Sequence, residues 1–226
     1  MLRFFAHKYR SFLNRKRTQT ANHEPWAKIM LCDTPARILN TLYLIPAQFF
    51  NRTCFFYFNR KKYAGLVHFQ DKPVYFIIVM PYVLHMLIPC AKLIESQVDL
   101  IFIYNGSKAW ERRILAGLFP QASHIKLKTV PFSSLRHGTV LDILFHIAAC
   151  DFGILDHDVY VFDSQPLTNI SLENDQIMAY SFANTNKPTG LTFPRTQHLY
   201  FNHRLTRHII SEYHLSFKPY HSIPQH

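Results

Sequence analysis

Glycine is scarce in this chain, with 6 in 226 residues, and that scarcity excludes several phosphate-binding devices. Neither G-x-G-x-x-G nor G-x-x-x-x-G-K-[ST] occurs, so the loops that let a backbone approach a pyrophosphate in Rossmann and P-loop proteins are missing. Cysteine is also sparse. Cys32, Cys54, Cys90 and Cys150 form no C-x-x-C pair, which argues against a disulfide framework or a cysteine zinc site and fits a reducing, cytoplasmic setting. The 14 histidines include no H-E-x-x-H, because His23-Glu24 is followed by Pro-Trp-Ala; zinc-protease chemistry is not expected. Charged residues make up 17% against 48% hydrophobic, so the chain can bury a sizeable core.

The net charge of +11 is concentrated in one segment. Residues 1–72 hold 13 Lys/Arg against 3 Asp/Glu, a balance of +10, while residues 73–226 hold 12 against 11. This divides the chain into a basic, aromatic-rich extension over 1–72 and a nearly neutral domain over 73–226. The extension interleaves cations such as Arg15-Lys16-Arg17 and Arg60-Lys61-Lys62 with runs such as Phe49-Phe50 and Phe55-Phe-Tyr-Phe58. It has no clean apolar core or small-residue cleavage site of a secretory signal. Aromatics beside cations suit either the interface of an acidic membrane or packing on the main domain. No RNP, KH or zinc-finger pattern accompanies the charge, so nucleic acid is not the expected partner. Within the domain, no Lys or Arg occurs from His137 to Asn186, whereas seven carboxylates do. A region so composed suits a hard divalent cation or forms a solvated acidic face.

Val74 to Ala91 is an uncharged run of 18 residues, the lower limit for a membrane span, but Pro81 and Pro89 interrupt it. It divides more naturally into a buried strand over 74–80 and a helix opening at Pro81. A strand over 98–104, stopped by Asn105-Gly106, follows. A helix over 108–119 is expected to bury Trp110, Ile114 and Leu118. Next come a half-exposed strand over 124–130, a helix over 139–149 and a strand over 152–155 that resumes at 159–162. This alternation predicts an α/β sheet with mostly parallel strands, whose ligands bind at the strands' carboxyl ends. Met80-Pro81, Tyr104-Asn105 and the Asp156 region fall there.

The sharpest local feature is Asp156-His157-Asp158 between apolar runs. On an extended backbone, two carboxylates two residues apart point the same way and can hold one metal with its diphosphate. The combination of His137-Gly-Thr-Val-Leu-Asp142, an amphipathic helix and Ile154-Leu-Asp-His-Asp-Val159 resembles nucleotide-sugar-dependent glycosyltransferases of the GT-A fold. Phe193-Pro-Arg-Thr-Gln-His-Leu-Tyr-Phe-Asn202, with a helix over 204–213, resembles their acceptor-side part. The resemblance covers about residues 73–215.

It implies transfer of a sugar from a nucleoside diphosphate sugar to a hydroxyl of a glycan, lipid or other acceptor, with Mn²⁺ or Mg²⁺ as cofactor. Asp158 would bind the metal directly, and Asp156 would contact the ribose or reach the metal through water. His137, Gly138 and Asp142 would line the nucleotide-sugar site, with Met80, Pro81, Tyr104 and Asn105 flanking base and ribose. A third metal ligand would be His198, with His203 and His221 as alternatives, and the base would come from Glu173, Asp175 or Glu212. A sugar nucleotidyltransferase would share the sheet but would need a Gly-rich loop after the first strand, where Met80-Pro-Tyr-Val-Leu-His85 stands. The other alternative is a non-catalytic, peripheral membrane or partner-binding module.

Overall fold

The computed structural model describes residues 42, 43, 45–67, 71–131, 133–181, 183–185, 192–194 and 197–217. Residues 1–41, with the basic cluster at 15–17, lie outside the described residues, as do His221 and part of the 193–202 run. Eight strands are described: β1 (Val74–Val79), β2 (Asp99–Tyr104), β3 (Ser123–Lys126), β4 (Phe152–Leu155), β5 (Met178–Tyr180), β6 (Ala183–Thr185), β7 (Thr192–Pro194) and β8 (His198–Phe201). The helices are α1 (Ile45–Phe50), a π-helical turn Asn51–Phe55, α2 (Phe56–Tyr63), α3 (Leu84–Ile94), α4 (Ala109–Leu118), α5 (His137–Ile147), α6 (Gln165–Thr168) and α7 (His203–Glu212).

Six strands form one sheet in the order β3-β2-β1-β4-β8-β5. β1 runs parallel to β2 and β4, and β2 parallel to β3, whereas β8 is antiparallel to both β4 and β5. β6 and β7 pair separately as an antiparallel ribbon. The apolar runs with no polar alternation become strands covered on both faces: all six residues of β1 and all four of β4 are buried. Phe76 and Ile78 face one core layer with Val140, Leu144 and Phe145 of α5, while Tyr75, Ile77 and Val79 face Leu87 and Ala91 of α3 and Leu115 of α4. Successive strands step from β1 to β2 to β3 in one direction, and β4 returns to the other side of β1. The point where the order reverses therefore lies between β1 and β4, where an open α/β sheet leaves a crevice at its carboxyl edge.

Four expectations change. The helix expected at Pro81 begins at Leu84, because residues 81 and 82 form a turn with Tyr82 at φ 68°. On α4 the buried side chains are Glu111 and Leu115, and Trp110, Ile114 and Leu118 are exposed. Glu111 turns inward because its carboxylate accepts the backbone N–H of Tyr82 at 2.5 Å and of Lys108 at 2.6 Å. β3 ends at Lys126, because side chains of the preceding helices take over the backbone beyond it. Asn59 donates to Lys128 O and accepts from Lys128 N, Asn51 accepts from Val130 N, and Tyr63 donates to Lys126 O. Finally, the strand expected to resume at 159–162 is absent. The chain turns at Asp156, whose carbonyl accepts from Val159 N at 3.2 Å.

The Asn and Tyr bonds also show that residues 45–67 pack on the sheet domain across the expected division at 72. α2 lies against α5, and Val67 bridges Ala148. Among the described residues no helix is long and apolar enough to cross a membrane.

Candidate functional site

Four segments meet at the carboxyl edge around the β1/β4 switch point. Met80-Pro81-Tyr82 follows β1, Asn105-Gly106-Ser107 follows β2, Asp156-His157-Asp158 follows β4, and Gln197 leads into the antiparallel β8. Asp156 remains tied to the sheet, its N–H donating to Gln197 O at 3.0 Å. The four-residue turn then lifts Asp158 to the exposed surface.

The turn separates the environments of the two carboxylates. Asp156 acts on His137, at the start of α5: the surrounding protein pushes that imidazole's pKa down, and the Asp156 charge opposes the shift. Asp158 acts on Cys90 of α3, whose thiol is raised first by burial and then by this carboxylate, with a Tyr160 hydrogen bond opposing. α5 and α3 cover opposite faces of the sheet, so the two charges act on groups on different sides of it, and the backbone between them is a turn rather than an extended strand.

The first turn of α5 is a source of donors. No side chain caps it at Arg136, and the first intrahelical bond at this end is Val140 N to Arg136 O, so the N–H groups of His137, Gly138 and Thr139 precede the helical ladder. Two buried polar atoms on the same edge have no hydrogen-bond partner, Ser107 Oγ and Gln197 Oε1. A buried, unpaired polar atom costs roughly 1–3 kcal/mol, which a bound polar ligand would offset. Neither residue stands out in the sequence; only the sheet topology brings them to this edge. A third such atom, Asp99 Oδ2, lies at the opposite end of β2.

Other candidates are spent on the protein itself. The Asn105 side chain accepts from Leu135 N at 2.7 Å and donates to Leu135 O at 2.9 Å, fixing the approach to α5; it also donates to Met80 Sδ at 3.4 Å. Tyr104 is buried, bonds His124 Nδ1 at 2.6 Å, and is pushed up to about 12 by burial. Asp142 faces away from the rim. Its two oxygens accept from Ser216 Oγ and Phe217 N, each at 3.0 Å, and so hold the segment after α7.

His198 is buried, with Nε2 3.1 Å from Tyr75 Oη and Nδ1 2.5 Å from Ser181 Oγ, so both ring nitrogens are engaged. Burial lowers its pKa to about 4. His203 contacts Phe145 O and stacks on the Phe145 ring, and Glu212 pairs with His208 on the surface of α7. Among the described residues no three His, Cys, Asp or Glu side chains converge as a metal cage.

Residues 58–206 match the StrH glycosyltransferase N-terminal domain family. No curated protein matches the chain. One solved structure it is similar to is the glycosyltransferase GlyE of Streptococcus pneumoniae TIGR4, at 14% identity and a TM-score of 0.41, over 64% of this chain and 38% of that one. The chain thus spans well under half the length of that protein. With the family match taking in 149 of 226 residues, counted from 58 through 206, the chain belongs to the StrH glycosyltransferase N-terminal domain family.

Proposed function

We propose that the rim between β1 and β4 binds a nucleoside diphosphate sugar and transfers its sugar to an acceptor hydroxyl. The observation that carries this reading is the placement of the Asp156-His157-Asp158 turn at the topological switch point, beside the uncapped start of α5, in a chain of a glycosyltransferase family. Sheet crevices of this kind take nucleotides, and helix N-termini take phosphate oxygens. The open N–H groups of His137, Gly138 and Thr139 would receive the diphosphate, while Met80 and Pro81 flank base and ribose. Asn105 is a positioning residue here, holding Leu135 and thereby the entry to α5.

The donor set fits a divalent cation shared with the substrate. Mg²⁺ or Mn²⁺ needs only one or two protein carboxylates when phosphate oxygens complete its shell. Exposed Asp158 would supply the protein oxygen, and Asp156 would reach the ribose or the cation through water; His198 has no free nitrogen to offer. When bound, the cation neutralises charge on the departing diphosphate. In the transfer, the acceptor oxygen bonds to the anomeric carbon and the bond from that carbon to the diphosphate oxygen breaks. The hydroxyl proton leaves to a base, and the nucleoside diphosphate departs.

Turnover of a panel of nucleoside diphosphate sugars with Mn²⁺, followed as nucleoside diphosphate release, tests the reading. Release by the wild type that is lost in Asp158→Asn supports it, and equal release by both removes Asp158 from the site.

A further inference from the structure

The helical segment over 45–63 has an outward face that the sheet domain does not use. Its inward row repeats every fourth residue: Ala47, Asn51 and Asn59 are buried, and Phe55 and Tyr63 partly so. The wider π-helical turn at Asn51–Phe55 raises the average period above the α-helical 3.6 and keeps these positions in line. The same period sets two outward rows, Phe49-Thr53-Tyr57-Lys61 and Phe50-Cys54-Phe58-Lys62, all exposed. Phe49 is 63% exposed, Phe50 52%, Tyr57 59% and Phe58 51%, which is far from the usual state of four adjacent aromatics.

Charge decides what could cover such a face. No Asp or Glu occurs between Asp33 and Asp71, whereas Lys61 and Lys62 end the two rows and Arg52 and Arg60 border them on the helix itself. Exposed Lys126 and Lys128 of the adjacent segment add to them, and Lys128 Nζ sits 4.9 Å from the Phe58 ring centroid. The rows form a ridge rather than a groove, and their apolar members at positions 49, 50, 57 and 58 are Phe and Tyr only. Aromatics of this kind partition to the headgroup level of a bilayer, and the negative surface potential of anionic lipid attracts flanking cations.

We infer that the outward face of residues 45–63 rests on an anionic lipid bilayer, with Phe49, Phe50, Tyr57 and Phe58 at headgroup depth and Lys61 and Lys62 against lipid phosphates. The opposite row is fixed to the domain by Asn51, Asn59 and Tyr63, so the face is presented on a rigid support. The contact does not depend on the donor-site reading.

The test uses the full chain and vesicles of phosphatidylcholine alone or mixed equally with phosphatidylglycerol. Wild type is expected to co-float only with the anionic vesicles. Phe49→Ser/Phe58→Ser should weaken binding roughly tenfold or more, and Lys61→Gln/Lys62→Gln by roughly thirtyfold. All four side chains are exposed, so melting temperatures should stay at the wild-type value. Phe58→Trp, read as the difference from a parent carrying Trp26 and Trp110, should shift its emission to the blue on the anionic vesicles alone. Serine and glutamine variants that bind as well as wild type, or an unmoved difference emission from Phe58→Trp protein that floats, would overturn the inference and leave the binding to other residues. Dissociation of a dimer by Phe49→Ser/Phe58→Ser with vesicle binding intact would overturn it in favour of a second copy.

Discussion

Replacing Gly153 by alanine tests how β4 is held against its neighbours. A Cβ built at this position would lie 2.0 Å from Cε1, 2.3 Å from Cδ1 and 2.6 Å from Cζ of Tyr75, well inside contact distance. The Tyr75 ring has nowhere to retreat. It is fully buried, 5.8 Å centroid to centroid from both His198 and Tyr200, with its hydroxyl 3.1 Å from His198 Nε2 and 3.3 Å from Leu167 O. Overpacking costs roughly 1–3 kcal/mol, and displacing the hydroxyl from its partners adds about 1 kcal/mol. A total of about 3 kcal/mol corresponds to a fall in melting temperature of roughly 6–12 °C at this chain length. Urea unfolding should show a lower midpoint with an unchanged slope. Tyr75→Leu removes the clashing ring, so the double variant should cost at least about 1 kcal/mol less than the sum of the single changes. A Gly153→Ala protein within about 0.5 kcal/mol of wild type, or strictly additive changes, would refute the argument.

Three further outcomes follow from buried polar groups. The imidazoles of His146 and His198 are held at about 4, chiefly by burial, with the Arg60 and Arg207 charges adding at His146. Between that value and the ordinary value near 6.5 the unfolded chain binds protons that the folded one does not. Stability is therefore full above about pH 6.5 and falls as pH drops toward 4, with His198 alone contributing a loss of about 2 kcal/mol at pH 5. Melting temperature measured from pH 7.5 to 5 should decline and decline less in His198→Phe; a flat profile contradicts the assignment. Asn59→Ala leaves both backbone groups of Lys128 without their partner and should cost about 2 kcal/mol, with faster hydrogen exchange at the Lys128 amide. Glu111→Ala should cost about 2–3 kcal/mol by the same reasoning and release the amides of Tyr82 and Lys108 to exchange; unchanged protection at either would show that the carboxylate does not hold them.

The parallel half of the sheet was legible because uninterrupted runs such as Val74-Tyr-Phe-Ile-Ile-Val79 have one stable use, a strand covered on both faces. Asn105-Gly106 likewise marked the end of β2, where Gly106 adopts φ 79°. β5 to β8 were not legible, because these short antiparallel strands carry no uninterrupted apolar run like that of β4 and are specified by partners distant in sequence. The inward face of α4 was misread because Trp110, Ile114 and Leu118 satisfy helical spacing, whereas the choice of Glu111 depends on two backbone N–H groups that only the fold brings together.

At the site, the position of Asp156 and Asp158 on the rim follows from strand order, but their shared direction assumed an extended backbone, and the Asp156–Val159 turn replaces it. The family resemblance places His198 as a third metal ligand and Asp142 as a lining residue of the nucleotide-sugar site. Their partners, Tyr75, Ser181, Ser216 and Phe217, lie 17 to 123 positions away and carry no local signal.

Calorimetric titration of the wild type, Asp156→Asn and Asp158→Asn proteins with nucleoside diphosphate sugars in Mn²⁺ addresses the rim most directly. At least one donor should bind the wild type, lose affinity when Mn²⁺ is withdrawn, and bind each variant more weakly. Donors that give no heat with any protein, or that bind all three alike, would mean that the carboxyl edge between β1 and β4 is not a donor site.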